Sequence, residues 1–192
     1  MAVRESKSAL EGNVSFQQQA PRKSTRRSVG GSYRSWIGDY NKSLRQLGSN
    51  NEEAFRLNAI AAEKGMHDAV LAMGWFYLNG VGVKANTDEA VRWYRKAARG
   101  GDLSAFFSLG HIAYLENDYV EALLWLNRAA DKGHPRSKYL LARMFWGARG
   151  VPQDRKRARR LLADAAALNV VEARRAERYL AYLGTKAASE AR

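Results

Sequence analysis

The chain has 192 residues, 46 % of them hydrophobic and 10 % aromatic, enough to bury a core and too many for wholesale disorder. It contains no cysteine, which excludes disulfide frameworks, thiolate metal sites, iron–sulfur clusters and cysteine nucleophiles, and fits a reducing, cytoplasmic setting. The net charge of +13 lies at the two ends: six basic against two acidic residues over 1–31, twelve against twelve over 32–133, and fourteen against five over 134–192. A balanced middle argues against a nucleic-acid groove along the whole length, whereas a basic end suits an acidic partner, phosphates or an anionic surface. The longest nearly apolar run, residues 69–78, has ten residues against the ~20 that span a bilayer. The N-terminus carries Arg4, Glu5 and Lys7 and then no apolar stretch, unlike a secretory signal.

Residues 1–31 are rich in Ser, Gln, Arg and Gly, with Pro21 and the run Arg22-Lys23-Ser24-Thr25-Arg26-Arg27. Their few bulky apolar side chains lack helical spacing, so this segment reads as a flexible basic tail. Over 32–48, Tyr33, Trp36, Ile37, Tyr40, Leu44 and Leu47 have roughly helical spacing, which predicts an opening helix. Gly38, sixteen residues before Ala54, sets its expected register.

From residue 50 the chain repeats itself. Segments 50–65, 86–101, 118–133 and 154–169 each open with Asn or Asp. Four residues later stands Ala54, Ala90, Ala122 or Ala158, and three further Leu57, Trp93, Trp125 or Leu161. The pairs Ala61-Ala62, Ala97-Ala98, Ala129-Ala130 and Ala165-Ala166 follow, and Gly or Asn closes each segment. The steps between copies are 36, 32 and 36 residues for every landmark, which marks a repeat array. The opening Asn or Asp is a helix N-cap. Glu53, Glu89 and Glu121 stand where a capping box needs them, and Arg157 breaks that box in the fourth copy. The landmarks form one helical stripe with close-packing alanines, and the closing Gly65, Gly101, Gly133 or Asn169 suits a left-handed cap. These are the second helices of helical hairpins.

Partner helices carry Ala69, Met73, Gly74 and Tyr77, then Ala105, Leu109 and Gly110, then Ser137, Leu141 and Ala142, and a last helix carries Ala173 and Tyr179. Glycine-rich turns at 80–83 and 147–151 join the hairpins of the 36-residue copies, and only Glu116-Asn117 joins the 32-residue one. Neither glycine-rich stretch has the Gly-Lys-Ser/Thr of a phosphate-binding loop.

Together, Ala69-x-x-x-Met73-Gly74-x-x-Tyr77-x-x-Gly80-x-Gly82-Val83, then Asn86, Ala90, Trp93 and Ala97-Ala98, resemble the Sel-one-like repeat, a variable-length relative of the tetratricopeptide repeat. The resemblance covers about residues 50–183, with 66–101, 102–133 and 134–169 the best copies. It implies an all-α fold, a right-handed α/α solenoid of helix–turn–helix repeats over 32–185, with a frayed end at 186–192. It also implies a non-catalytic adaptor or scaffold that gathers protein partners, as in many bacterial assemblies.

Catalysis finds no support in the residues. His67, His111 and His134 are scattered without helical metal-ligand spacing, no serine sits in a nucleophile elbow, and no carboxylate pair has an apolar setting. No cofactor and no metal are expected. His111 reads as part of an exposed helix face. The resemblance implies that first helices line a concave groove, through residues three before, one after and four after the small landmark. That choice gives Leu71, Trp75 and Leu78; Phe107, His111 and Tyr114; Tyr139, Arg143 and Trp146; and Arg175, Tyr179 and Tyr182. Seven of the twelve are aromatic, and aromatics with Arg are what binding hot spots prefer. Arg143 would favour an acidic partner segment, while Leu141 and Phe145 read as core. A basic patch of Arg155, Lys156, Arg157, Arg159 and Arg160, followed by Arg174 and Arg178, offers a second reading, binding of nucleic acid or an anionic surface.

Overall fold

The computed structural model describes the backbone of residues 31–190 and the side chains of residues 39–181. Within that range the protein is all-α, and its nine helices carry the repeat. They are α1 Gly31–Gln46, α2 Asn51–Glu63, α3 His67–Asn79, α4 Thr87–Arg99, α5 Leu103–Leu115, α6 Tyr119–Asp131, α7 Pro135–Trp146, α8 Arg155–Ala167 and α9 Val171–Glu190. No strand occurs among the described residues. The expected tail, apart from Gly31, lies outside them, and so do the side chains of Tyr33, Trp36 and Ile37. The expected frayed end falls on the last turns of α9 and on two residues outside the description.

The described chain divides into two compact units, 31–106 and 107–190, with the boundary inside α5. In the first unit α1 packs on α2, α2 on α3 and α3 on α4. In the second, α6 packs on α7, α7 on α8 and α8 on α9, and Gly110 of α5 meets Leu126 of α6.

The sequence repeat has a direct structural cause at both ends of each second helix. The amides of Glu53, Glu89, Glu121 and Arg157 donate to the side chains of Asn50, Asn86, Asp118 and Asp154, at 3.1, 3.0, 3.1 and 2.8 Å. At the far end Gly65, Gly101, Gly133 and Asn169 all adopt positive φ, between 67° and 87°. That turn lets the next two amides reach back to the alanine pair. Gly65 donates to Ala62 and Met66 to Ala61, Gly133 to Ala130 and His134 to Ala129, and Asn169 to Ala166 and Val170 to Ala165. This is the Schellman pattern, so the alanine pair marks the helix end as well as the packing stripe.

In the first two copies the capping box does not close as the glutamates suggested. The Asn50 amide donates to the Gln46 carbonyl and the Asn86 amide to Tyr77. Both cap amides are therefore taken by the preceding helix. Glu53 instead holds Arg56 at 2.7 Å, Glu89 holds Arg92 at 2.5 Å, and Glu121 accepts from the Trp125 indole at 2.5 Å.

The buried stripe keeps Leu57 at its expected place but in the other three copies shifts to the next position. Eight residues after the cap stand Asn58, Tyr94, Leu126 and Leu162, all buried. Trp93, Trp125 and Leu161, one residue earlier, are only half-buried. Lys96 lies over the Trp93 ring and Arg128 over Trp125, each at 4.8 Å, so these indoles face the charged rim. Between α5 and α6 the missing glycine is replaced by Asn117, with φ 63°. Asn is the other residue that tolerates this conformation.

In α1 the expected Gly38 register does not hold. Gly74 and Gly110 each lie five residues before the last residue of their helix, and the same count in α1 reaches Asn41. The α1–α2 connection has four residues and the α3–α4 connection seven, so counting across the longer turn shifts the register. Asn58 donates to the Ala69 carbonyl at 3.0 Å, while its Oδ1 and that of Asn41 are buried without hydrogen-bond partners.

Candidate functional site

In the 31–106 unit, Leu71, Trp75 and Leu78 occur at intervals of four and three along α3 and are half-buried. That spacing places them on one face. Trp75 meets the edge of the Phe76 ring at 5.4 Å. These three keep accessible apolar surface. At the start of the same helix His67 Nε2 lies 2.9 Å from the Asp102 carboxylate. Asp102 in turn accepts from the Ala105 amide at 2.8 Å, so this histidine belongs to the turn before α5.

In the 107–190 unit the expected groove residues separate. Phe107, His111 and Tyr114 are buried, Tyr139 is 0 % exposed and Arg143 only 3 %. Tyr139 is thus a core side chain, with its phenol pushed up to about 12 by burial. It joins Leu141 and Phe145, the two residues read as core from the start. The reason is positional: Tyr139, Leu140, Leu141, Ala142, Arg143, Met144 and Phe145 are all buried, because α7 packs on α6 and on α8 and also reaches α5, where Arg143 lies over the Tyr114 ring. A helix with a third neighbour has little face left for solvent.

His111 likewise departs from the exposed face expected of it. Its ring stacks on Phe107 at 5.6 Å with a 10° interplanar angle, and Phe107 lies 4.9 Å from His134. Burial, with Arg143 and Arg136 adding positive charge, lowers the imidazole to about 4, so it is neutral at pH 7. His134 caps α7, its ring accepting from the Ser137 amide at 3.3 Å.

The polar centre of this unit is Tyr114. The Arg143 and Arg149 guanidiniums lie 5.5 and 5.4 Å from its ring centroid, and Arg149 donates to its hydroxyl. Arg149 was not among the expected site residues. It sits in the glycine-rich turn after α7, and nothing local distinguishes it from a solvated turn residue. Trp146 remains half-buried, with the Arg155 guanidinium 5.5 Å from its ring. Tyr179 is half-buried and Arg175 exposed, while the Tyr182 side chain lies outside the described residues. Cationic groups around an aromatic centre can accept a carboxylate through charge-assisted hydrogen bonds.

The residues of the basic patch, Arg155 among them, are all exposed, and Arg157 and Arg174 also make specific contacts. Arg157 lies 4.2 Å from the Phe145 ring, and Arg174 donates to the Ala166 carbonyl and the Asn169 side chain. Arg174 therefore closes the end of α8. Among the described residues no three His, Asp or Glu side chains are grouped as metal ligands, and no helix is long and apolar enough to cross a membrane.

The family model described as Sel1 repeat matches residues 67–102, 103–134 and 135–170, more than half of the chain. The crystal structure of a Sel1 repeat protein from Oxalobacter formigenes is similar at a TM-score of 0.61 and 27 % identity, covering 79 % of this chain and 47 % of that one. A protective antigen of uropathogenic Escherichia coli, c5321, displays the same fold at a TM-score of 0.59 and 21 % identity, covering 90 % of this chain and 38 % of that one. Chitin synthase regulatory factor 2 of Schizosaccharomyces pombe is 30 % identical over 104 residues, 50 % of this chain and 20 % of that protein. This chain thus spans less than half the length of each.

Proposed function

Because the chain belongs to the Sel1 repeat family, we propose that it is a non-catalytic adaptor that holds a carboxylate-bearing segment of a protein partner. Sel1 repeat proteins are generally protein-interaction adaptors. The observation that carries the finer reading is the gathering of Arg143 and Arg149 at the Tyr114 ring, with half-buried Trp146 at the end of the same helix as Arg143. An acidic side chain or terminal carboxylate docks on Arg149, the less buried of the two guanidiniums, and Trp146 supplies the apolar anchor. Leu71, Trp75 and Leu78 form a separate contact face in the 31–106 unit.

The test is affinity capture with mass spectrometry, comparing the intact chain with Trp146→Ala and Arg149→Ala after melting curves show both variants folded. Loss of the same captured protein in both supports the reading, and full retention overturns it. Binding that instead collapses with salt and follows Lys156, Arg159 and Arg160 assigns the interaction to the basic surface, by counterion release from nucleic acid or another polyanion.

A further inference from the structure

The second helices share one register, so equivalent surface positions can be compared. Two and six residues after the cap stand Glu52 and Arg56 in α2, Asp88 and Arg92 in α4, and Lys156 and Arg160 in α8. All six are exposed. In α6 the same two places hold Val120 and Leu124, 79 % and 45 % exposed. Leu115, 50 % exposed, ends α5 just before the turn into α6. Two large apolar side chains thus stand where the other repeats are charged, and Leu115 lies beside them at the same turn. A cluster of that kind, unlike a scattered single residue, marks a contact surface. Its rim is acidic, with exposed Glu116 and Asp118.

A second departure occurs at the end of α8. Fourteen residues after the cap the copies have Lys64, Gly100, Lys132 and Leu168, and Leu168 is 48 % exposed. Exposed Val171 begins α9 three residues later. Arg175 and Arg178 follow Val171 at helical spacing on the same exposed face, giving this apolar corner a basic rim.

The two corners cannot meet within one molecule. α6 packs on α7 and α7 on α8, and the short turns between them make neighbours antiparallel. α6 and α8 therefore run the same way, and the start of one lies a helix length, ~20 Å, from the end of the other. We propose that they meet between copies: the corner of Leu115, Val120 and Leu124, rimmed by Glu116 and Asp118, receives Leu168 and Val171 of a second copy, with Arg175 and Arg178 opposite the acids. Apolar area drives this contact and the opposite rims set its register. Since the two surfaces differ, the contact is heterologous and passes from copy to copy head to tail.

The test is analytical ultracentrifugation of the full chain over a wide range of concentration, with two variants that copy other repeats. Val120→Asp with Leu124→Arg installs the α4 pair, and Leu168→Lys installs the residue of α2 and α6. The intact chain should associate with rising concentration, and each variant alone should be monomeric with an unchanged melting curve. Each variant keeps the corner that the other lacks, so mixing them should produce a dimer that grows no further. An intact chain that stays monomeric, association that survives either variant, or a mixture that forms no dimer would overturn the proposal.

Discussion

Gly74 of α3 stands against the ring of Tyr94 of α4 so closely that a Cβ at Gly74 would lie 2.6 Å from two ring carbons. Gly110 of α5 has the same relation to Leu126 of α6, with a Cβ 2.7 Å from the Leu126 Cγ. In these two pairs the glycine of the first helix is the seat for the buried side chain eight places after the cap of the second. Ala142 and Leu162 occupy these places in the next pair, both buried.

Gly74→Ala sets two effects against each other. Helix propensity favours alanine by about 1 kcal/mol, whereas overpacking against a fully buried ring costs about 1–3 kcal/mol. A ring cannot fold out of the way as an aliphatic branch does, so the variant should be less stable in urea titration. Adding Tyr94→Leu should recover part of the loss specifically in the Gly74→Ala background. Simple additivity of the two changes would refute the contact as its cause.

Asp118 accepts the Glu121 amide at 3.1 Å beyond a turn that contains no glycine. Asp118→Ala should destabilise the chain by about 1 kcal/mol, because a first-turn amide loses its acceptor. Asp118→Asn should be nearly silent, since Asn50 and Asn86 make the same bond. Equal losses from both changes in thermal melts would rule out the cap as the reason.

His111 makes stability depend on pH. Its folded value, about 4, lies below the ordinary one of ~6.5, so the unfolded chain takes up its proton first. The stabilisation is complete above pH ~6.5 and is lost as pH falls through this window toward 4, at up to ~1.4 kcal/mol per pH unit. His111→Gln removes the titrating ring. Denaturant titrations of both proteins between pH 7 and 4 should show a steeper fall for the intact chain, and parallel curves would contradict the assignment.

Tyr139 and Trp146, seven residues apart on α7, should behave differently when truncated. Tyr139→Ala empties a fully buried site and should cost ~3–5 kcal/mol. Trp146→Ala, at a half-buried position, should cost only ~1–2 kcal/mol. Comparable losses in equilibrium unfolding would mean that both rings are core.

What the sequence determined by itself is everything that rests on contacts within a few residues. Asn50, Asn86, Asp118 and Asp154 cap helices because a short polar side chain reaches an amide three residues on. Gly65, Gly101, Gly133 and Asn169 end them because few residues accept a positive φ, and the alanine pairs follow from the same turn. Repetition of these local rules at steps of 36, 32 and 36 residues was enough for the hairpins and the fold class. The tertiary structure decided which faces those helices bury. Tyr139 and Arg143 on α7 and His111 on α5 looked like surface residues because one helix period shows a stripe but not which of its faces other helices cover. The partners of Glu53 and Glu89 were settled in the same way, once the Asn50 and Asn86 amides had been taken by the preceding helix. Arg149 reaches Tyr114 from 35 residues away, a distance no helical period spans.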